Sequence, residues 1–595
     1  MVITSILATV VSYQVLAPLF GPEAWVLNND HLMPFDHIRL ILSGKGFGLR
    51  DITWARIPSL FPDYFLAFVS GIFSGNWIEQ FSFYWHVQIF FCVSAFLFLA
   101  QFSCGVAGLY LSAGVYSFLV WFFPGYAEII FYSGVPIYHG GNFVNVALLI
   151  FLVSCLLSGE CRGFRGIGIY VLFAYSLVAS FSSRLFFVQL IAPLWVLFLI
   201  NIRIGNVSAY SVDWRRLWTS KVARFLGLIS IASISGLVSY VLVIHQCTDV
   251  GISAHFDVFV AHFRRMGERG LLVFCLLSYL PLILAWCGPG RVFPLGRSVN
   301  TLNGRKREIF IYSLIAISSL FTVFVFYISA VDSWSGYGRY LITPAYFLPV
   351  AAVLAVRTLS RYWPRIVIAF GEYLPGSAYL SCQDLKIFLS FYPLIISLLS
   401  LCAVFVFTFF DSAVSSAILI RKSHRAPIQW LVKVLRSNNL LGELGYVADP
   451  PFESRALHAL SNMKIRALSV STDGNPLMFP HSRTEYLSRW ARSNRALYPM
   501  SGDVLPPKWV LARQSNTRRL FERFGHPIRT FDCNGNACVY EFDQARVVEN
   551  GATYFQTIRF DVYKCKSDTF KGIIISKLHP FYRQIRGRLS FVFQG

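Results

Sequence analysis

The chain has 595 residues, is 55% hydrophobic and only 14% charged, where a soluble protein of this size carries roughly 25% charged residues. That balance excludes a soluble globular protein and predicts a polytopic α-helical membrane protein. The formal net charge of +22 does not point to nucleic acid, because much of it falls in short loops between apolar segments, where Lys and Arg fix orientation.

Residues 4–20 read as the first transmembrane span. The segment has no basic start and no small-x-small cleavage site, so it is expected to be retained as a helix. A polar loop over 21–58 follows, and it opens with Asn28-Asn29-Asp30-His31 and Pro34-Phe35-Asp36-His37-Ile38-Arg39. Residues Pro34 to Leu42 suit a short interfacial helix, with Phe35, Ile38 and Leu42 on one side and Asp36, His37 and Arg39 on the other. Pro62 suits the first turn of the next helix. Residues 63–74 are apolar but too few to span, and so are expected in the interface up to about 76.

Further spans are predicted at 83–101, 106–123, 143–157, 167–181, 186–201, 225–244, 269–287, 308–328, 341–357 and 388–410. With the first they make about eleven. Placing the N-terminus in the cytoplasm puts Arg215, Arg216, Arg305, Lys306, Arg361 and Arg365 in inner loops, and leaves fewer basic residues outside. An odd number of spans then puts the Asp30 loop and the C-terminal region on the same, periplasmic side.

From Asp411 the composition changes, and residues 411–595 are expected to form a soluble α/β domain beside the membrane module of 1–410. Residues 451–470 and 484–497 look helical, and 539–542, 553–563 and 572–576 look like strands. Cys533 and Cys538 enclose a turn-forming sequence, so either a hairpin-closing disulfide or two free thiols is open. The basic run of Arg513, Arg518, Arg519 and Arg523 suits a solvated face or anionic headgroups.

No metal-ligand spacing, no G-x-S-x-G turn and no phosphate-binding loop occurs. What stands out is a set of polar residues at the predicted outer ends of spans: Asp30, His31, Asp36 and His37, then His86, Glu128, Tyr138 and His139, then Arg184, then Asp332, Tyr337, Arg339 and Tyr340. One carboxylate opposed by two arginines suits transfer from a lipid phosphate. Phosphate leaves without protonation, so the site needs one base, and the planar guanidinium fork matches phosphate oxygens.

This layout resembles the GT-C glycosyltransferases: many spans, an acid in the first outer loop just after the first helix, interfacial helices in that loop, and an outer C-terminal domain. Protein O-mannosyltransferases, lipid A aminoarabinose transferases and arabinofuranosyltransferases share the plan. The resemblance implies an enzyme that moves a sugar from a polyprenyl-phosphate (undecaprenyl-type) donor to a glycan, lipid or protein hydroxyl. A single displacement would invert the anomeric centre, and the Phe-rich composition and basic outer domain fit a bacterial inner membrane. By match, the catalytic base falls on Asp30, with Asp36 second. Arg184 and Arg339 would hold phosphate, with Tyr337, His139, His31 and Glu128 in supporting binding roles. Many members carry two adjacent acids in the first loop; here Asn29 precedes Asp30. A divalent cation such as Mg, Mn or Ca therefore stays open. A polytopic transporter or lipid flippase is the competing reading. Such proteins usually show duplicated halves and midplane charges, whereas the ionisable residues here gather at one predicted face.

Overall fold

The structure is a computed structural model. It describes residues 2–20, 29–42, 59–136, 139–158, 165–205, 221–244, 269–287, 304–329, 340–371, 428–448, 457–459, 461, 464–469, 508–535 and 537–542. The predicted span at 388–410, the helix at 484–497, the strands at 553–563 and 572–576, and Tyr138, Asp332, Tyr337 and Arg339 lie outside these residues.

The helices run in chain order as α1 Val2–Phe20, α2 Asn29–Leu42, α3 Phe65–Phe73, α4 Trp77–Phe122, α5 Pro124–Ser133, α6 Gly140–Ser158, α7 Arg165–Ser182, α8 Arg184–Phe186, α9 Ala192–Gly205, α10 Lys221–Ile244, α11 Arg269–Cys287, α12 Gly304–Ser329 and α13 Ile342–Gly371. π-Helical turns at Leu60–Tyr64 and Phe187–Ile191 lead into α3 and α9. Among the described residues three helices are long and apolar enough to cross a membrane: Trp77–Phe122, Arg307–Phe324 and Ile342–Ser360; shorter apolar helices accompany them.

The 46 residues of α4 would run about 69 Å if straight. They do not, because Gly105 breaks the helix at φ 71°, ψ −166°. The Phe96 and Tyr116 rings lie 5.0 Å apart, although twenty residues of continuous helix would separate them by about 30 Å. The chain therefore folds back at Gly105 into two arms, matching the predicted spans at 83–101 and 106–123. That backbone region is open essentially only to glycine.

Two compact units appear. One comprises Met1–Leu19, His86–Leu237 and Gly251–Val414; the other comprises Phe20–Trp85, Val238–Val250 and Ser415–Gly595. In the first, buried tyrosines bond across helices. Tyr116 pairs with Ser12 at 2.7 Å, Tyr346 with Ser133 at 2.7 Å, and Tyr126 donates to the Ala345 carbonyl at 2.9 Å. Such hydroxyl bonds suit helices packed in lipid, where an unpaired polar group is costly. Arg357 and Glu308 form an ion pair at 2.9 Å between α13 and α12.

In the second unit, β1 Leu444–Val447, β2 Arg466–Ser469, β3 Trp509–Arg513, β4 Arg529–Asn534 and β5 Ala537–Glu541 form one sheet in the order β2-β1-β3-β5-β4. β1 is parallel to β2 and β3, and β5 is antiparallel to β3 and β4. Side chains alternate between the faces. Val447, Trp509, Leu511 and Val539 pack with Leu431, Val434 and Leu435 of a helix over 428–437. Tyr446, Val510, Ala512 and Tyr540 face Leu520 of helix α14, Thr517–Phe524. The helix expected through 470 is corrected at its end. Residues 466–469 are a strand, because pairing with β1 buries Ala467 in the first of these cores. Cys533 and Cys538 are register partners on β4 and β5, joined with an S–S distance of 1.97 Å. The Trp77 and His458 rings meet edge to face at 5.1 Å within this unit.

Candidate functional site

The first-loop residues are organised by α2. Asp30 is the second residue of that helix, and His31 follows it. Pro34 lies inside the helix and has no N–H to give the carbonyl of Asp30, so the first turn lacks one of its usual bonds. Asp36 and His37 are buried, at 2% and 0% exposure, and Phe35 and Ile38 are buried as well. The predicted two-sided helix is thus corrected. Both its acid and its imidazole are interior, and among the described side chains of this helix Arg39 and Leu42 are the exposed ones. The helix starts at Asn29 rather than Pro34.

The reason is the segment that packs against it. His37 Nδ1 is 2.7 Å from the Tyr64 hydroxyl, with the two rings stacked at 5.9 Å. Asp63, beside Tyr64, is 1% exposed. Phe35 meets the Phe81 and Tyr84 rings edge-on. Asp63 was not singled out from the sequence; its place directly after Pro62 in an apolar run was the available signal. Burying a carboxylate is costly unless its surroundings compensate, so two such acids and an imidazole between α2 and the turn before α3 mark a built polar centre.

In the membrane unit a second polar group forms where α6, α8 and α13 begin. His139 has left-handed backbone at φ 77°, is buried, and lies 5.2 Å ring to ring from Tyr340. The next residue is held tightly, since a Cβ on Gly140 would come within 1.9 Å of the Ser133 carbonyl oxygen. Asn142 Nδ2 donates to Gln189 Oε1, and Thr343 Oγ1 donates to the same oxygen at 3.1 Å. Tyr175 donates to Asn145 Oδ1 at 2.8 Å. The π-helical turn carries Gln189; such turns recur at functional sites. The polar residues Asn142, Gln189 and Thr343 were not predicted, because amides inside an apolar run read as helix glue.

Arg184 is the first residue of α8 and is exposed. Glu128 lies in α5 and accepts a bond from the Tyr132 hydroxyl at 3.0 Å. Burial pushes its carboxyl up from the ordinary value, and the Tyr132 bond opposes that rise. Among the described residues no three His, Cys, Asp or Glu side chains are grouped as ligands for a metal ion.

A mainly helical, apolar chain with membrane-length helices defines an integral membrane protein. Its structure is similar to the crystal structure of ArnT from Cupriavidus metallidurans bound to undecaprenyl phosphate, with a TM-score of 0.50 and 10% identity over 91% of this chain and 97% of that one. No protein-family model matches the chain, and no curated protein matches it significantly. At that identity the likeness shows a shared fold alone.

Proposed function

We propose that this chain is a membrane glycosyltransferase that moves a sugar from a polyprenyl phosphate to an acceptor hydroxyl on the periplasmic face. The observation that carries this reading is the shared fold, over nearly the whole of both chains, with a protein crystallised with undecaprenyl phosphate. The helical first loop after α1, with its buried acids, supports it.

In the proposed step Asp30 takes the proton of the acceptor hydroxyl. The acceptor oxygen forms a bond to the anomeric carbon from the face opposite the phosphate. The carbon–oxygen bond to phosphate breaks, and its electron pair leaves on polyprenyl phosphate, so the configuration inverts. Arg184 and Arg339 hold the phosphate as charge collects on it.

The test is an assay of the purified full chain with undecaprenyl phosphate carrying one of several sugars. Released undecaprenyl phosphate supports the reading. Movement of the intact lipid across a vesicle bilayer, with no release, would establish a flippase instead.

A further inference from the structure

We infer that Asn142, Gln189 and Thr343 form the subsite that recognises the sugar of the lipid-linked donor, and that it reads neutral hydroxyl groups. This assignment rests on the transferase reading and names the part of the substrate that these residues take. They come from three separate elements, α6, the π-helical turn before α9, and α13. Gln189 Oε1 is the hub, accepting from both Asn142 Nδ2 and Thr343 Oγ1. All three side chains are 1–2% exposed.

The network uses one atom of the Asn142 amide and leaves the other. Asn142 Oδ1 is buried and has no hydrogen-bond partner among the described residues. An unmet buried acceptor costs about 1–3 kcal/mol, which a bound donor group would recover. Asn142 Oδ1 can only accept, so the group that completes it must donate. A phosphate oxygen cannot, and a sugar hydroxyl can. An ammonium could donate too, but a buried ammonium needs a carboxylate, and none belongs to this network.

Asn142 and Thr343 lie in the first turns of α6 and α13. The His139 and Tyr340 rings precede the same two helices.

The experiment measures binding of two kinds of lipid to the full chain in detergent: undecaprenyl phosphate, and undecaprenyl phosphate carrying glucose, mannose or arabinose. Asn142→Ala and the milder Asn142→Ser should weaken the preferred glycosylated lipid tenfold or more and leave undecaprenyl phosphate within twofold. Equal losses for both lipids, or no loss for either, would overturn the subsite. On the unaltered protein, removing one particular hydroxyl from the sugar should reproduce the Asn142 loss, and indifference to every single deoxy position would overturn it. Tighter binding of an amino sugar than of its hydroxy parent would overturn the neutral-hydroxyl assignment. A wild-type chain that holds undecaprenyl phosphate but gains nothing from any sugar sinks the subsite alone. One that holds neither lipid sinks the transferase reading as well.

Discussion

The Nδ1 nitrogen of His37 and the hydroxyl of Tyr64 are 2.7 Å apart in a fully buried setting, and this bond ties α2 to the turn that leads into α3. Tyr64→Phe removes the hydroxyl from a buried imidazole. The expected cost is about 1–3 kcal/mol, seen as a lower apparent melting temperature in detergent. Adding His37→Phe should recover part of that loss, because a bond removed from both sides leaves less unmet polarity than one removed from a single side. A double variant that falls by the sum of the single losses would show that the pair is not coupled.

Asp30 and Asp36 separate by their readouts. Asp30→Asn should lower turnover by roughly 10²–10⁴-fold, the range for loss of a general base, with donor KM little changed. Asp36 is interior, so Asp36→Asn should act first on thermal stability. Rates measured at saturating donor decide between them, and a larger turnover loss at Asp36 would transfer the base to that residue.

Glu128 makes a pH-dependent contribution. Its folded carboxyl binds its proton more tightly than in the unfolded chain, chiefly through burial. The folded state therefore holds more protons between the ordinary carboxylate value and the raised one, and stability falls as pH rises through that window. Glu128→Gln keeps an oxygen for the Tyr132 hydroxyl and removes the charge. It should raise the melting temperature at neutral pH and flatten the melting curve plotted against pH. A variant no more stable than the parent at neutral pH would contradict this.

At Gly140 the constraint is steric. A methyl group there meets the Ser133 backbone oxygen at 1.9 Å, which no side-chain rotation relieves. Gly140→Ala should cost about 1–3 kcal/mol or more, whereas Gly227→Ala, where nothing lies within 4 Å of the added carbon, should be neutral or mildly stabilising in its helix. Paired thermal melts of the two variants test this.

Much of the helical framework was legible because lipid imposes length and apolarity together. Gly105 separated two apolar runs in the sequence, and the backbone turns there. The state of α2 was not legible. Its residues alternate in a way that suits a surface helix, yet Asp36 and His37 are buried, because Tyr64 and Phe81 arrive from later in the chain and no local pattern encodes them. Residues 466–469 failed for the same reason. Arg466-Ala467-Leu468-Ser469 has no strong preference of its own, and a parallel partner at Leu444–Val447 decides it. The Asn142 network was missed because its geometry depends on a widened turn around Gln189, and that turn has no sequence signature.

The reversal at Gly105 has a consequence for biosynthesis. Two apolar arms joined through a single residue leave no hydrophilic tether to be held on either side of the bilayer while one arm waits for the other. The pair is expected to enter the lipid together, as one hairpin.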